Sequence, residues 1–226
     1  MGVSRKRPCA SSRVEGTWPK LRRLCHSVKT AQEGGLFPCL CGELRRELLV
    51  RKMVTPAELA ENIRNIPDFP KPGIQFKDIT PVLADAKLFA GTIDLLTQNH
   101  VPGSIDAIVG IDARGFIFAA AAALKLQTGF VPIRKKGKLP FTTHEACYDL
   151  EYGSNTVAIH IDAVRPGSKV LLVDDLLATG GTAGAAIALL QKIGANIVEA
   201  VFLIELGFLN GRARLDGVPV RSLIVY

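Results

Sequence analysis

Apolar residues between positions 53 and 226 follow two habits: short uninterrupted runs, and longer stretches in which they recur every three or four residues. The runs suit strands buried on both faces, and the periodic stretches suit helices lying over them. Thr55, Pro56 and Glu58 supply an N-cap, a first-turn proline and an acid at the capping-box position, which predicts a helix over 55–65 that Pro67 stops. Pro67, Pro70, Pro72 and Gly73 then impose a stiff irregular loop that holds 74–79 extended. The pattern goes on to predict a helix over 86–99, a strand over 107–111, an alanine-rich helix over 116–126 and a strand over 130–133. Residues 135–152 mix charge and aromatics with few periodic apolar positions and read as a long mobile loop. Strands over 157–161 and 170–173, a helix over 182–193 with Gly194 past its end, a strand over 197–204, a short helix over 209–215 and a strand over 220–225 follow. Strands alternating with helices imply right-handed crossovers, hence an α/β fold with a doubly covered, mainly parallel sheet.

At 226 residues and 48% hydrophobic, the chain has enough apolar material for one substantial core without help from disulfides. The formal charge of +7 is unevenly spread: residues 1–52 hold twelve Lys/Arg against four Asp/Glu, and residues 53–226 hold sixteen against seventeen. Four of the five cysteines, Cys9, Cys25, Cys39 and Cys41, also fall before Met53. The chain is therefore expected to divide into a basic extension, 1–52, that is disordered or no part of the working protein, and a domain over 53–226. A targeting peptide or a basic arm for nucleic acid are the other readings of that extension. The single cysteine of the body, Cys147, suits a reducing cytoplasm rather than a disulfide framework. No apolar run approaches the ~18 residues a membrane span needs, so no membrane partner is expected.

The densest chemistry lies in Val170-Leu171-Leu172-Val173-Asp174-Asp175-Leu176-Leu177-Ala178-Thr179-Gly180-Gly181-Thr182. A buried strand delivers two carboxylates to a crevice, and Thr179 to Thr182 turn the backbone so that successive amides and two hydroxyls face an anion on the next helix's N-terminus. Two acids beside a phosphate cradle conflict, unless the ligand is a ribose phosphate whose hydroxyls donate to the carboxylates.

That acidic pair followed by Ala-Thr-Gly-Gly-Thr resembles the phosphoribosyl diphosphate signature of the type I phosphoribosyltransferases. Four further blocks, 65–81, 112–116, 133–140 and 148–153, resemble the adenine phosphoribosyltransferases of that family in order and interval. The match covers roughly 53–226 and implies that family's fold, with a small N-terminal hood. It implies transfer of phosphoribose from 5-phospho-α-D-ribose 1-diphosphate (PRPP) to adenine, giving AMP and diphosphate, with Mg²⁺ carried by PRPP rather than by a protein cage. It also implies a homodimer and a cytoplasmic purine-salvage role, with no nucleic acid expected.

The resemblance assigns roles residue by residue. Asp174 and Asp175 engage the ribose hydroxyls, and one of them stabilises charge at the anomeric carbon. Ala178, Thr179, Gly180, Gly181 and Thr182 hold the 5′-phosphate, while Arg114, Arg134, Lys135 and Lys138 attract the diphosphate. The family often has serine where Ala113 stands, so no hydroxyl contact is carried over there. Phe76 stacks on adenine, the main chain of Gln75 and Lys77 reads its edge, and Leu206 covers its other face. Glu151, late in the mobile loop, approaches the imidazole edge for proton transfer. His100, His144, His160 and Cys147 show no catalytic pattern and are read as structural. Two rivals stand beside this expectation: a related enzyme for another purine, or a non-catalytic PRPP sensor whose basic extension binds nucleic acid.

Overall fold

In chain order, the computed structural model contains helix α1 (Pro56–Glu61), strands β1 (Arg64–Ile66) and β2 (Phe76–Asp78), helices α2 (Thr80–Ala84) and α3 (Ala86–Leu96), strand β3 (Ala107–Ile111) and helix α4 (Gly115–Leu126). Strands β4 (Gly129–Lys135), β5 (Thr143–Leu150), β6 (Gly153–His160) and β7 (Lys169–Leu177) follow, then helix α5 (Gly181–Lys192), strand β8 (Asn196–Glu205) and strand β9 (Val220–Val225). The structure describes residues 53–150, 153–215 and 217–226. The expectations placed on 1–52 and on Glu151 lie outside those residues.

The sheet runs β5-β6-β4-β3-β7-β8-β9. Its five strands from β4 to β9 are parallel neighbours, and the β5–β6 hairpin joins antiparallel at the β4 edge. Strand alternation sorts the apolar residues to the two faces. Val170 and Leu172 enter one core with Val109, Phe202 and the inner side of α5, while Leu171 and Val173 enter the other with Ile108, Val201, Phe118 and α3. All four β7 residues are fully buried, the condition that selects an uninterrupted apolar run over an alternating one. The mainly parallel α/β architecture is thus as the sequence implies.

Five local expectations need correction. The first helix stops at Glu61, and Arg64–Ile66 instead pairs antiparallel with Phe76–Asp78, with Lys77 donating to Asn65 Oδ1 at 2.7 Å. Tertiary pairing overrides a local helical tendency there. Helix α2, which opens on Thr80 and Pro81, has too few residues to show a period and was not foreseen. Strand β7 runs past the acidic pair to Leu177, so Asp174 and Asp175 lie within it, and Asp174 pairs in register with Phe202. The stretch 135–152 is not one long loop: Thr143–Leu150 forms a strand in full register with β6. Its inward positions include Ala146 and the half-buried Tyr148, too small and too polar to announce a strand. The helix expected over 209–215 is two 3₁₀ turns, Gly207–Leu209 and Gly211–Arg214.

Candidate active site

Because β3 and β7 are parallel neighbours, with Gly110 opposite Val173, the segments that leave their C-terminal ends are brought side by side. Together they line a cleft of about 310 Å³: Ile111 to Arg114 from one, Asp174 to Ala183 from the other. Asp174 and Asp175 are 9% and 6% exposed. Arg114 Nε meets Asp175 Oδ2 at 2.7 Å, and the Asp175 amide donates to Asp174 Oδ1 at 2.9 Å. Asp174 lies so close to the start of α4 that a Cβ on Gly115 would strike its Oδ1, so only glycine opens that helix here.

Burial pushes the Asp174 carboxyl well above the usual carboxylate range, and the neighbouring Asp175 charge pushes the same way. Asp175 is also raised by burial, with Arg114 opposing. Among the described residues, one guanidinium beside two buried acids leaves them short of positive charge. The cleft therefore favours a ligand that brings hydroxyl donors, a cation or developing positive charge to that spot.

Gly180 sits at φ +80°, turning the chain into α5 with no side chain capping the helix. The first amides of α5 thus lack an internal acceptor, and the residues that carry them line the cleft with Thr179, an arrangement suited to a phosphoryl group. Only glycine serves at this position, since a Cβ would strike the Gly211 carbonyl oxygen.

Of the residues singled out in sequence, Arg114, Asp174, Asp175 and Ala178 through Thr182 line the cleft together. Phe76, on β2, does not line the cleft but stands beside one of its residues: the Arg114 guanidinium carbon is 5.4 Å from its ring centroid, and Phe69 packs edge-on at 5.1 Å. Arg134 borders the cleft, with Nε 3.4 Å from Asp112 Oδ2 and Nη1 donating to the Lys138 carbonyl at 2.9 Å. Lys135, Lys138 and Gln75 are exposed and do not line the cleft. Lys77 turns its ammonium to Asn65 and over the Tyr226 ring, 3.4 Å from the centroid. Leu206 also lies off the cleft, half-buried against the core that holds Val201 and Leu203, its amide donating to the Leu177 carbonyl at 2.9 Å.

Two features of the site have no role in the sequence reading. Asp112 lines the cleft, and an acid ending a buried strand is a usable signal for it. Gly211 lies outside the cleft, packed behind the loop at 178–180; no sequence signal marks that contact, because it joins residues separated by helix α5 and strand β8.

Residues 77–216 match the family model described as "Phosphoribosyl transferase domain". An adenine phosphoribosyltransferase of Acidothermus cellulolyticus is 54% identical over 173 residues, 75% of this chain and 98% of the relative. The crystal structure of adenine phosphoribosyltransferase from Thermoanaerobacter pseudethanolicus superposes with a TM-score of 0.72 at 49% identity, covering 76% of this chain and 100% of the other. The Saccharomyces cerevisiae enzyme, solved with an imino-altritol bisphosphate and adenine, gives 0.71 at 43% identity, with 74% and 97% covered. With paired acids, an uncapped helix start and an arginine gathered where the parallel strands end, and with near-complete relatives of one kind, the chain belongs to the adenine phosphoribosyltransferase family.

Proposed function

We propose the following division of labour for the transfer of phosphoribose from PRPP to adenine. The amides and hydroxyls of Thr179 to Thr182, with Ala178, hold the 5′-phosphate. Asp174 and Asp175 accept hydrogen bonds from the ribose diol. As the diphosphate departs, positive charge grows at the anomeric carbon, and a carboxylate in a desolvated cleft interacts with that charge far more strongly than one in water. Arg114 holds the departing diphosphate, and Arg134, Lys135 and Lys138 add positive charge around it. Adenine lies on Phe76, its edge read by the main chain of Gln75 and Lys77, with Leu206 toward its other face. Glu151 exchanges the proton at the imidazole edge as the new bond forms. The observation that carries this reading is the joint lining of one cleft by the buried acid pair, Arg114 and the uncapped start of α5.

Mg²⁺ belongs to this reading as part of the substrate, shielding the charge of PRPP while keeping most of its water. A homodimer fits the apolar stripe of α4, where exposed Ile117, Ala120 and Leu124 follow one another at helical spacing. A cytoplasmic location rests on the lone body cysteine, Cys147, and on the absence, among the described residues, of a helix long and apolar enough to cross a membrane. Residues 1–52 are proposed to be an extension outside the catalytic domain at 53–226. No nucleic acid is assigned to the protein.

Incubating the purified protein with adenine, PRPP and Mg²⁺ should yield AMP and diphosphate in equal amounts. Equal or better turnover of a 6-oxopurine would reject adenine as the preferred base.

A further inference from the structure

The turn Gly211–Arg214 does not line the substrate cleft, yet its backbone presses on the loop that does. A Cβ on Gly180 would strike the Gly211 carbonyl oxygen, and a Cβ on Gly211 would strike the Ala178 carbonyl oxygen. A Cβ on Gly184, in the first turn of α5, would stand 3.2 Å from the Arg214 carbonyl oxygen. Backbone meets backbone across this contact, so a displacement of the turn passes to Ala178–Gly180 with no side chain to absorb it.

Arg212 fixes the turn. Its Nε and Nη2 donate to Glu205 Oε1 and Oε2, each at 2.7 Å, and its Nη1 donates to the Val220 carbonyl at 2.9 Å. Nη2 also reaches Ser222 Oγ at 3.4 Å. Glu205 ends β8 with its side chain 7% exposed, while Val220 and Ser222 belong to β9. One planar guanidinium therefore ties the turn to two strands of the sheet. The Arg212 hydrogen bonds also hold the Glu205 carboxyl below the usual carboxylate range.

We propose that the Arg212–Glu205 fork is a positioning device for the phosphate loop, holding Gly211 against Ala178 and Gly180 so that the amides at the start of α5 stay aimed at the sugar's phosphoryl group. This rests on the reading of Thr179 to Thr182 as the 5′-phosphate clasp. Arg212 acts through geometry, so its loss weakens PRPP binding selectively and leaves adenine affinity in place.

Steady-state kinetics and calorimetry with ribose 5-phosphate test this. Arg212→Lys keeps the charge but cannot form the fork, and should raise the KM for PRPP about fivefold; Arg212→Gln should raise it about tenfold. The KM for adenine should stay within about twofold, and the ribose 5-phosphate Kd should rise in step with the PRPP KM. Because Arg212→Gln strands a buried carboxylate, the double variant Glu205→Gln/Arg212→Gln removes both charges and should fold while showing the same selective rise. Thr182→Val, which deletes a hydroxyl inside the cleft, tests the underlying clasp. If Thr182→Val weakens ribose 5-phosphate while Arg212→Lys and the double variant leave it unchanged, the positioning role is overturned and the clasp stands. An equal rise in both KM values would also overturn it, as the mark of general loosening. If Thr182→Val binds ribose 5-phosphate as tightly as the parent, the clasp itself is overturned.

Discussion

At the N-terminal ends of the parallel strands, Glu199 is surrounded by donors; at their C-terminal ends, Asp174 and Asp175 share a single cation among the described residues. Glu199 receives Arg221 Nε at 2.9 Å and Nη2 at 3.2 Å, and lies 3.0 Å from His100 Nε2, while Arg221 also caps α3 through the Leu95 and Leu96 carbonyls. Burial would raise that carboxyl, but the hydrogen bonds from Arg221 and His100 prevail and hold it below its ordinary value. Asp174 and Asp175 are more deeply buried than the half-buried Glu199, and among the described residues they have Arg114, the Asp175 amide and one another as partners; both are raised. A carboxylate that is fully paired fastens the fold. One that is left short of partners at a cleft stores an affinity that only a ligand satisfies.

The sharpest way to break this comparison is Asp174→Asn. It should lower kcat on the order of 10²–10³-fold, because in the proposed role the charge it removes acts on the transition state, and change the adenine KM by less than about threefold. Equal losses in kcat and adenine affinity would place Asp174 outside that role. At the other end, Arg221→Gln should cost about 2 kcal/mol of stability in denaturant unfolding by leaving the half-buried Glu199 with His100 as its nearest partner, while kcat changes by less than about twofold. A large kcat loss in the folded variant would erase the distinction between the two ends.

Phe76→Ala touches neither carboxylate group and should raise the adenine KM about tenfold through lost stacking, with kcat less affected. An unchanged KM would make Phe76 a packing partner of Phe69 and nothing more. The smallest effect is in pH dependence. Asp174 has a raised folded value, so its contribution to stability is fully present below its unfolded value of about 3.9 and is lost as pH rises through the folded value. Glu199, whose folded value is lowered, contributes above its unfolded value of about 4.3, and that contribution is lost as pH falls through the folded value. Melting curves of the substrate-free protein should therefore coincide for wild type and Asp174→Asn in acid. They should separate by roughly 2–4 °C in the variant's favour near neutral pH. A variant that melts lower at neutral pH would show that the acid pair stabilises the fold after all.

The cleft was legible where its parts are neighbours in the chain. Strand, acid pair, glycine turn and helix start follow one another from Val170 to Thr182, so each constrains the next and the order itself names the chemistry. Strand β5 was not legible, because a half-buried edge hairpin with Ala146 and Tyr148 facing inward needs little hydrophobicity and shows little period. Nor did any pattern announce Arg221, whose partners are 22 residues away at Glu199 and more than a hundred away at Leu95 and Leu96.

By itself the sequence determined the alternation of buried strands with helices, and with it a parallel sheet whose C-terminal edge carries Asp174, Asp175 and the glycine loop. Those features depend on local periodicity and on residues in covalent succession. Only the tertiary structure decided that Arg114 grips Asp175, that Glu199 is saturated while Asp174 is not, and that Gly211 lies against Ala178 and Gly180. Each of those depends on which distant backbone arrives within a few ångströms, and that follows from how two layers of helices close over the sheet.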